Sequence, residues 1–158
     1  MSIQSTIAAD IIAQLGEASF AAAVPYTAAY RRMYIDALED MPPAGSPESV
    51  LKITIAPVEY NSERTGWGAA HVEPQMGIIC EKMVSESGVP PEDSAIDPLE
   101  TFVENLCTWF SGPRQFASVW NSKEPKAIFG DDYIGELYES GRFFVPILVT
   151  FFADGGAS

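Results

Sequence analysis

The most apolar stretch of the chain is Arg142-Phe-Phe-Val-Pro-Ile-Leu-Val-Thr-Phe-Phe-Ala153, between Gly141 and the tail Asp154-Gly-Gly-Ala-Ser. It is rich in β-branched and aromatic residues and too short to span a bilayer, so it reads as a strand. Side chains alternate along a strand. Phe143, Val145, Ile147, Val149 and Phe151 therefore share one face, and Phe144, Pro146, Leu148, Thr150 and Phe152 the other. With no polar face, the strand needs cover on both sides: a helix of this chain on one, and a second helix or a neighbouring subunit on the other. Pro146 removes one ladder donor, which predicts an edge or a bulge there.

Before that strand the pattern switches between helical and strand periods. Ile3, Ile7, Ile11 and Leu15, with Ile12 beside them, form a helical stripe, so residues 3 to 16 are expected to form an amphipathic helix lying on a sheet. Tyr26, Ala28, Tyr30, Arg32 and Tyr34 alternate as a strand would, while Ala28-Ala29 suit a helix equally. Residues 39 to 49 have turn composition. Val50 to Pro57 alternates cleanly, and His71 to Met83 reads as its returning partner, giving a long hairpin with an open tip. Ser85 to Asp97 reads as a polar surface connector. Asp97 as N-cap, Pro98 at the first helical position and Leu99, Phe102, Val103, Leu106 and Phe110 behind them predict a helix ending at Gly112-Pro113. Residues 112 to 130 read as irregular with a short strand near Phe116 to Trp120, and residues 131 to 138 as one or two helical turns. The fold class is α+β: a small, mainly antiparallel sheet flanked by two main helices, with a long β-hairpin, in a single domain spanning 1-158.

Composition adds a boundary. The chain has 158 residues, enough to bury a core unaided, and 9 basic against 22 acidic residues, a formal net charge of −13. Such a balance argues against gripping a phosphate backbone over a broad surface, but suits an acidic wall past which a duplex slides. Cys80 and Cys107 have no CxxC spacing and are expected to be reduced thiols. The N-terminal residues lack the basic flank and apolar core of a signal peptide, and no run reaches membrane length, so a cytoplasmic site of folding is expected.

Candidate chemistry is sparse. His71 is the one histidine, set between Ala70 and Val72 where a structural or interfacial role is expected. Glu92-Asp93 and Asp131-Asp132 are the nearest to a hard-cation site, yet paired carboxylates also serve as helix caps. GxxxxGK[ST], GxGxxG and GxSxG do not occur, so no cofactor and no catalytic residue is expected. What stands out is aromatic and arginine content in loops: Tyr60, Arg64 and Trp67 on the hairpin, and Arg114, Phe116 and Trp120 after the second main helix. Such residues are enriched in interface anchors.

The order of an amphipathic first helix, a strand ending Ile53-Thr-Ile-Ala-Pro57, a hairpin return, a helix opened by Asp97-Pro98-Leu99, and Leu137-Tyr-Glu-Ser-Gly-Arg-Phe-Phe144 running into Ile147-Leu-Val-Thr-Phe151 resembles the tail terminator (tail completion) proteins of tailed bacteriophages. The resemblance covers most of the chain. It implies a virion protein assembled in the host cytoplasm as a homohexameric ring at the head-tail junction, in the neck. Such a ring caps the tail tube, stops tube polymerisation and joins tail to head connector, with the sheath as a further neighbour. It leaves an acidic channel through which DNA passes without specific binding, and it performs no catalysis. On that reading Arg64, Trp67, Phe144 and Phe152 are expected at the subunit interface, as apolar or aromatic groups without an evident intrachain partner. Glu86, Glu92 and Asp93 are expected to face the lumen. A head-completion or neck adaptor would look much the same. A small acidic binding module imitating nucleic-acid charge is the alternative from another class.

Overall fold

The computed structural model describes residues 3–36, 38–65, 69–112, 115–116, 119–120, 125–127 and 132–153; for 3, 58–65, 69–74, 115, 119–120, 126–127, 132 and 152–153 it describes the backbone alone. Helices α1 (Ile3–Leu15), α2 (Asp93–Ser111) and α3 (Asp132–Glu139) accompany strands β1 (Tyr26–Tyr30), β2 (Leu51–Thr65), β3 (Ala69–Met83), β4 (Gln115–Phe116), β5 (Val119–Trp120), β6 (Lys126–Ala127), β7 (Arg142–Thr150) and β8 (Phe152–Ala153). The main sheet has the order β1-β2-β3-β7, extended by the two-residue β6. β1 lies parallel to β2 and every other pairing is antiparallel, so the fold is α+β with a mixed, mostly antiparallel, open sheet. β4, β5 and β8 form a small second sheet.

The predicted alternation in β7 is realised. Phe143, Val145, Ile147 and Val149 are fully buried, and Phe151 continues their row past the end of the strand. Beside them lie Met76, Ile78 and Cys80 of β3 and Leu51, Ile53 and Ile55 of β2, all 0 or 1% exposed. This face carries the core. α1 closes it with Ile7, Ala8, Ile11 and Leu15, and α2 with Leu99, Phe102, Val103, Leu106 and Phe110. Where α2 meets the second sheet the packing is aromatic: the Phe110, Phe116 and Phe151 rings stand 5.6 to 6.2 Å apart, and Trp109 sits 5.0 Å from Phe110. Edge-on and tilted ring geometries of this kind add to the plain burial of area.

Three expectations need correction. α2 begins one turn earlier than predicted, at Asp93 with Glu92 as N-cap, so Asp97 and Pro98 lie inside the helix. The extra turn buries Ile96, which offsets the backbone hydrogen bond that a proline inside the helix forfeits. The connector after β3 does not hang free: the Val84 and Ser85 N–H groups both donate to the Gly141 carbonyl, and the Gly88 N–H donates to the last carbonyls of α3 at Tyr138 and Glu139. Helix ends leave such carbonyls without internal partners, and the connector supplies them. The closing apolar run is not one strand, since the chain changes sheet at Phe151 and continues as β8. Among the described residues, Pro146 sits where β7 has a full partner only in β3, because β6 there reaches just Ile147 and Leu148 on the other side. That is the near-edge position its missing donor requires.

Candidate functional site

Parallel neighbours cannot be joined by a tight turn, so the chain must cross the sheet between β1 and β2. It does so over the face turned away from α1 and α2. The Arg31 N–H donates to the Ile55 carbonyl on β2 at 2.9 Å. Tyr34 Oη donates to Glu81 Oε2 on β3 at 2.6 Å, and its ring lies 6.0 Å from Phe144 on β7. Asp36 then accepts two hydrogen bonds from Arg142, at 2.8 and 3.2 Å, at the start of β7. Residues 31 to 36 thus form a strap across three strands. The second cover that β7 needs is supplied, at its first turn of sequence, by this segment of the same chain.

The strap is pinned by a charged node. Arg142 has only 4% of its side chain exposed and meets three carboxylates: Asp36, Glu136 of α3 at 3.3 Å, and Glu81 at 3.7 Å. Glu81 is 1% exposed and also faces Lys52 at 3.7 Å. The register places Lys52, Glu81 and Phe144 side by side on β2, β3 and β7. Phe144 carries the Arg142 guanidinium 4.6 Å above its ring centre. A buried charge is tolerable only when paired and hydrogen-bonded, and the planar fork of Arg142 satisfies several acids at once. Its Nε has no hydrogen-bond partner among the described residues. Burial works against the charge on Arg142, but the hydrogen bonds that it donates to Asp36 and Glu136 outweigh it and raise the pKa. The Arg142 hydrogen bond holds the Asp36 carboxyl below its ordinary range, against a smaller cost of desolvation. Desolvation and then the Glu81 hydrogen bond push the Tyr34 hydroxyl up. Each of these three shifts favours the form that the contacts need, a charged Arg142, an ionised Asp36 and a protonated Tyr34, so the node acts as a fastening for the strap.

Phe144 therefore does not fit the ground on which it was placed at an interface, since Tyr34 and Arg142 occupy it within the chain. Trp67 and the side chains of Arg64, His71 and Phe152 lie outside the described residues. Glu86, Glu92 and Asp93 are exposed, though Asp93 belongs to α2 and not to a loop. Cys80 is buried, which pushes its thiol up, and Cys107 is partly buried. Among the described residues no group of three or more His, Cys, Asp or Glu is placed to hold a metal ion, and no helix is long and apolar enough to cross a membrane.

Two surfaces escaped the sequence reading. On the outside of the strap Met33 and Ile35 are 72% and 70% exposed, beside exposed Arg31 and Arg32. On the helical side a groove of about 320 Å³ runs between the start of α2 and α3, walled by Pro91, Ile96, Ile134 and Tyr138 with Asp93 and Asp97 on its rim. Ile134 and Tyr138 are 68% and 55% exposed. The available signal was Met33 and Ile35 standing as apolar residues on the opposite parity to the alternation over 26–34, beside Arg31 and Arg32.

The backbone holds a third feature. β1 pairs with β2 only over Leu51 to Ile55, and β7 with β3 only over Gln75 to Met83. Beyond them, among the described residues, Tyr60–Thr65 and Ala69–Pro74 pair only with each other within the main sheet, as a two-stranded arm with β8 of the small sheet against β3. No family model matches the chain, and no curated protein matches it.

Proposed function

We propose that this chain is a structural subunit of a tailed-phage particle. It assembles as a ring at the head-tail junction, caps the tail tube, ends tube polymerisation and joins the tail to the head connector. The observation that carries the reading is the arm. A two-stranded ribbon by itself is marginal in water, and one that extends past its sheet is suited to completion by another surface. Arg64, on the arm, and Trp67, between its two strands in the sequence, are the anchors proposed for a neighbouring subunit, with Phe152 in the closing apolar run. The order of elements, the exposed apolar residues on two faces and the net charge of −13 support the same reading, the last because an acidic channel passes DNA without holding it. Glu86 and Glu92, exposed on the connector, are the proposed channel acids. A neck adaptor of the same virion region uses the same physics with a different pair of neighbours.

The mechanism is geometric. A head-to-tail contact closes into a ring when its rotation divides the circle. One rim then matches the last tube ring and the opposite rim the connector. No bond is made or broken.

Native mass spectrometry and electron microscopy of the purified protein test this directly. A closed ring, six-membered on this reading, that binds the ends of purified tail tubes and blocks their elongation is the expected result. The net charge also favours a second reading, an acidic module that sequesters a basic protein. A monomer that ignores tubes and captures basic partners with steep salt dependence would replace the first reading with the second.

A further inference from the structure

Resting on that ring reading, we propose that successive subunits meet by seating the outer side of the strap in the groove between α2 and α3 of the next copy. Arg31 and Arg32 face Asp93 and Asp97, and Met33 and Ile35 pack against Ile134 and Tyr138.

The two surfaces are complementary in both respects that matter. The strap exposes apolar side chains flanked by two of the nine basic residues of a chain that has 22 acidic ones. The groove exposes apolar side chains flanked by carboxylates. Two copies at −13 each repel at long range, so a self-contact needs a local reversal of sign, and the strap provides it. Large apolar groups exposed at both places lose water on contact, which supplies attraction that charge alone would not.

Their placement suits a head-to-tail contact. The strap lies on the sheet face away from α1 and α2, whereas α2 forms one side of the groove. α3 separates them: Glu136 reaches the strap's Arg142 anchor, while Ile134 and Tyr138, two residues away on either side, point roughly 160° around the helix from it at 3.6 residues per turn. A subunit therefore does not satisfy its own groove with its own strap. Donor and acceptor surfaces on opposite sides propagate from copy to copy, and closure yields a ring. Both surfaces are held stiffly, the strap by the buried node and the groove by packed helices, so little ordering is required on contact. Asp93 then serves the contact, leaving Glu86 and Glu92 to the channel.

The test uses the full chain and reads subunit association by sedimentation and native mass spectrometry, with thermal melts to show that each variant is folded. Arg31→Glu/Arg32→Glu and Asp93→Lys/Asp97→Lys are each expected to weaken association more than roughly a hundredfold, because each places like charges opposite one another. The chain carrying all four substitutions restores the complementarity in reversed sense and is expected to form rings again. Met33→Ser/Ile35→Ser changes no charge and is expected to weaken association about tenfold or more. Rings that persist in both charge-reversed variants overturn the pairing and leave the ring reading standing. So does disruption by each pair without recovery in the fourfold variant, because it means the surfaces matter but do not meet. A wild-type chain that stays monomeric at every concentration removes the ring reading itself and this pairing with it.

Discussion

The guanidinium of Arg142 and the carboxylate of Asp36, 106 positions apart in the chain, are joined by two hydrogen bonds at 2.8 and 3.2 Å. That pair fixes the end of the strap to the first residue of the closing strand. The first consequence concerns Arg142 itself. Replacing it by methionine keeps much of the packing over Phe144 but leaves Glu81 buried with Lys52 and Tyr34 as its remaining partners. Breaking a buried ion pair from one side costs about 3–5 kcal/mol. Arg142→Met is expected to lower stability by that order in urea unfolding, and a loss below about 1 kcal/mol would mean the node is not desolvated in solution.

Acid should loosen the strap. The pKa of Asp36 is depressed when folded, so its contribution is present above the unfolded value of about 3.9 and is lost as pH falls through the lower folded value. Wild type is expected to be more stable than Asp36→Asn near neutral pH, and the gap should close as pH falls below about 4. A gap that does not change with pH would show that Asp36 is not paired with a charge. Asp36 is itself 56% exposed, so the effect is modest.

Gly141 is the most closely approached of the described glycines. Its φ is +73°, and a Cβ there would stand 2.1 Å from the Ser85 carbonyl oxygen, the group that follows the docked Val84 and Ser85 amides. The left-handed conformation alone costs an L-residue about 1–2 kcal/mol, and the backbone clash adds to it. Gly141→Ala should therefore lose more than about 2 kcal/mol. Gly45, with φ +84° and open space around it, should lose only the conformational part when changed to alanine.

Phe110 lies at the centre of the aromatic cluster and is fully buried. Phe110→Ala should cost about 3–5 kcal/mol, the range for emptying an aromatic site in a core that cannot collapse. Calorimetry of this variant beside Tyr138→Ala, at an exposed position of α3 where little change is expected, separates core from surface.

The arm makes the sharpest distinction between folding and assembly. Replacing residues 60–74 by a two-residue Asn-Gly turn removes backbone pairing that, among the described residues, involves no other strand of the main sheet. The shortened chain is expected to melt as one unit near the wild-type temperature and to fail to form rings. Rings formed without the arm would show that it contributes nothing to assembly.

Local pattern was enough for the main helices, the long hairpin and the buried rows of the core. Strict alternation placed Phe143, Val145, Ile147, Val149 and Phe151 on one buried row, and helical spacing placed Ile7, Ile11 and Leu15 on another, because burial acts on every residue of a face at once and leaves a period in the sequence. The start of α2 was misread for the complementary reason. Asp97-Pro98 is a strong local signal, and a single buried side chain, Ile96, outweighed it. The node and the strap had no periodic trace. Tyr34 and Asp36 of the strap, Glu81, Glu136 and Arg142 come from four separate segments, and nothing in the spacing of charges says which acid meets which arginine. That choice was made only when a parallel β1-β2 pair forced the chain across the open face of the sheet. The crossing carried Tyr34 and Asp36 inward and left Met33 and Ile35 facing out.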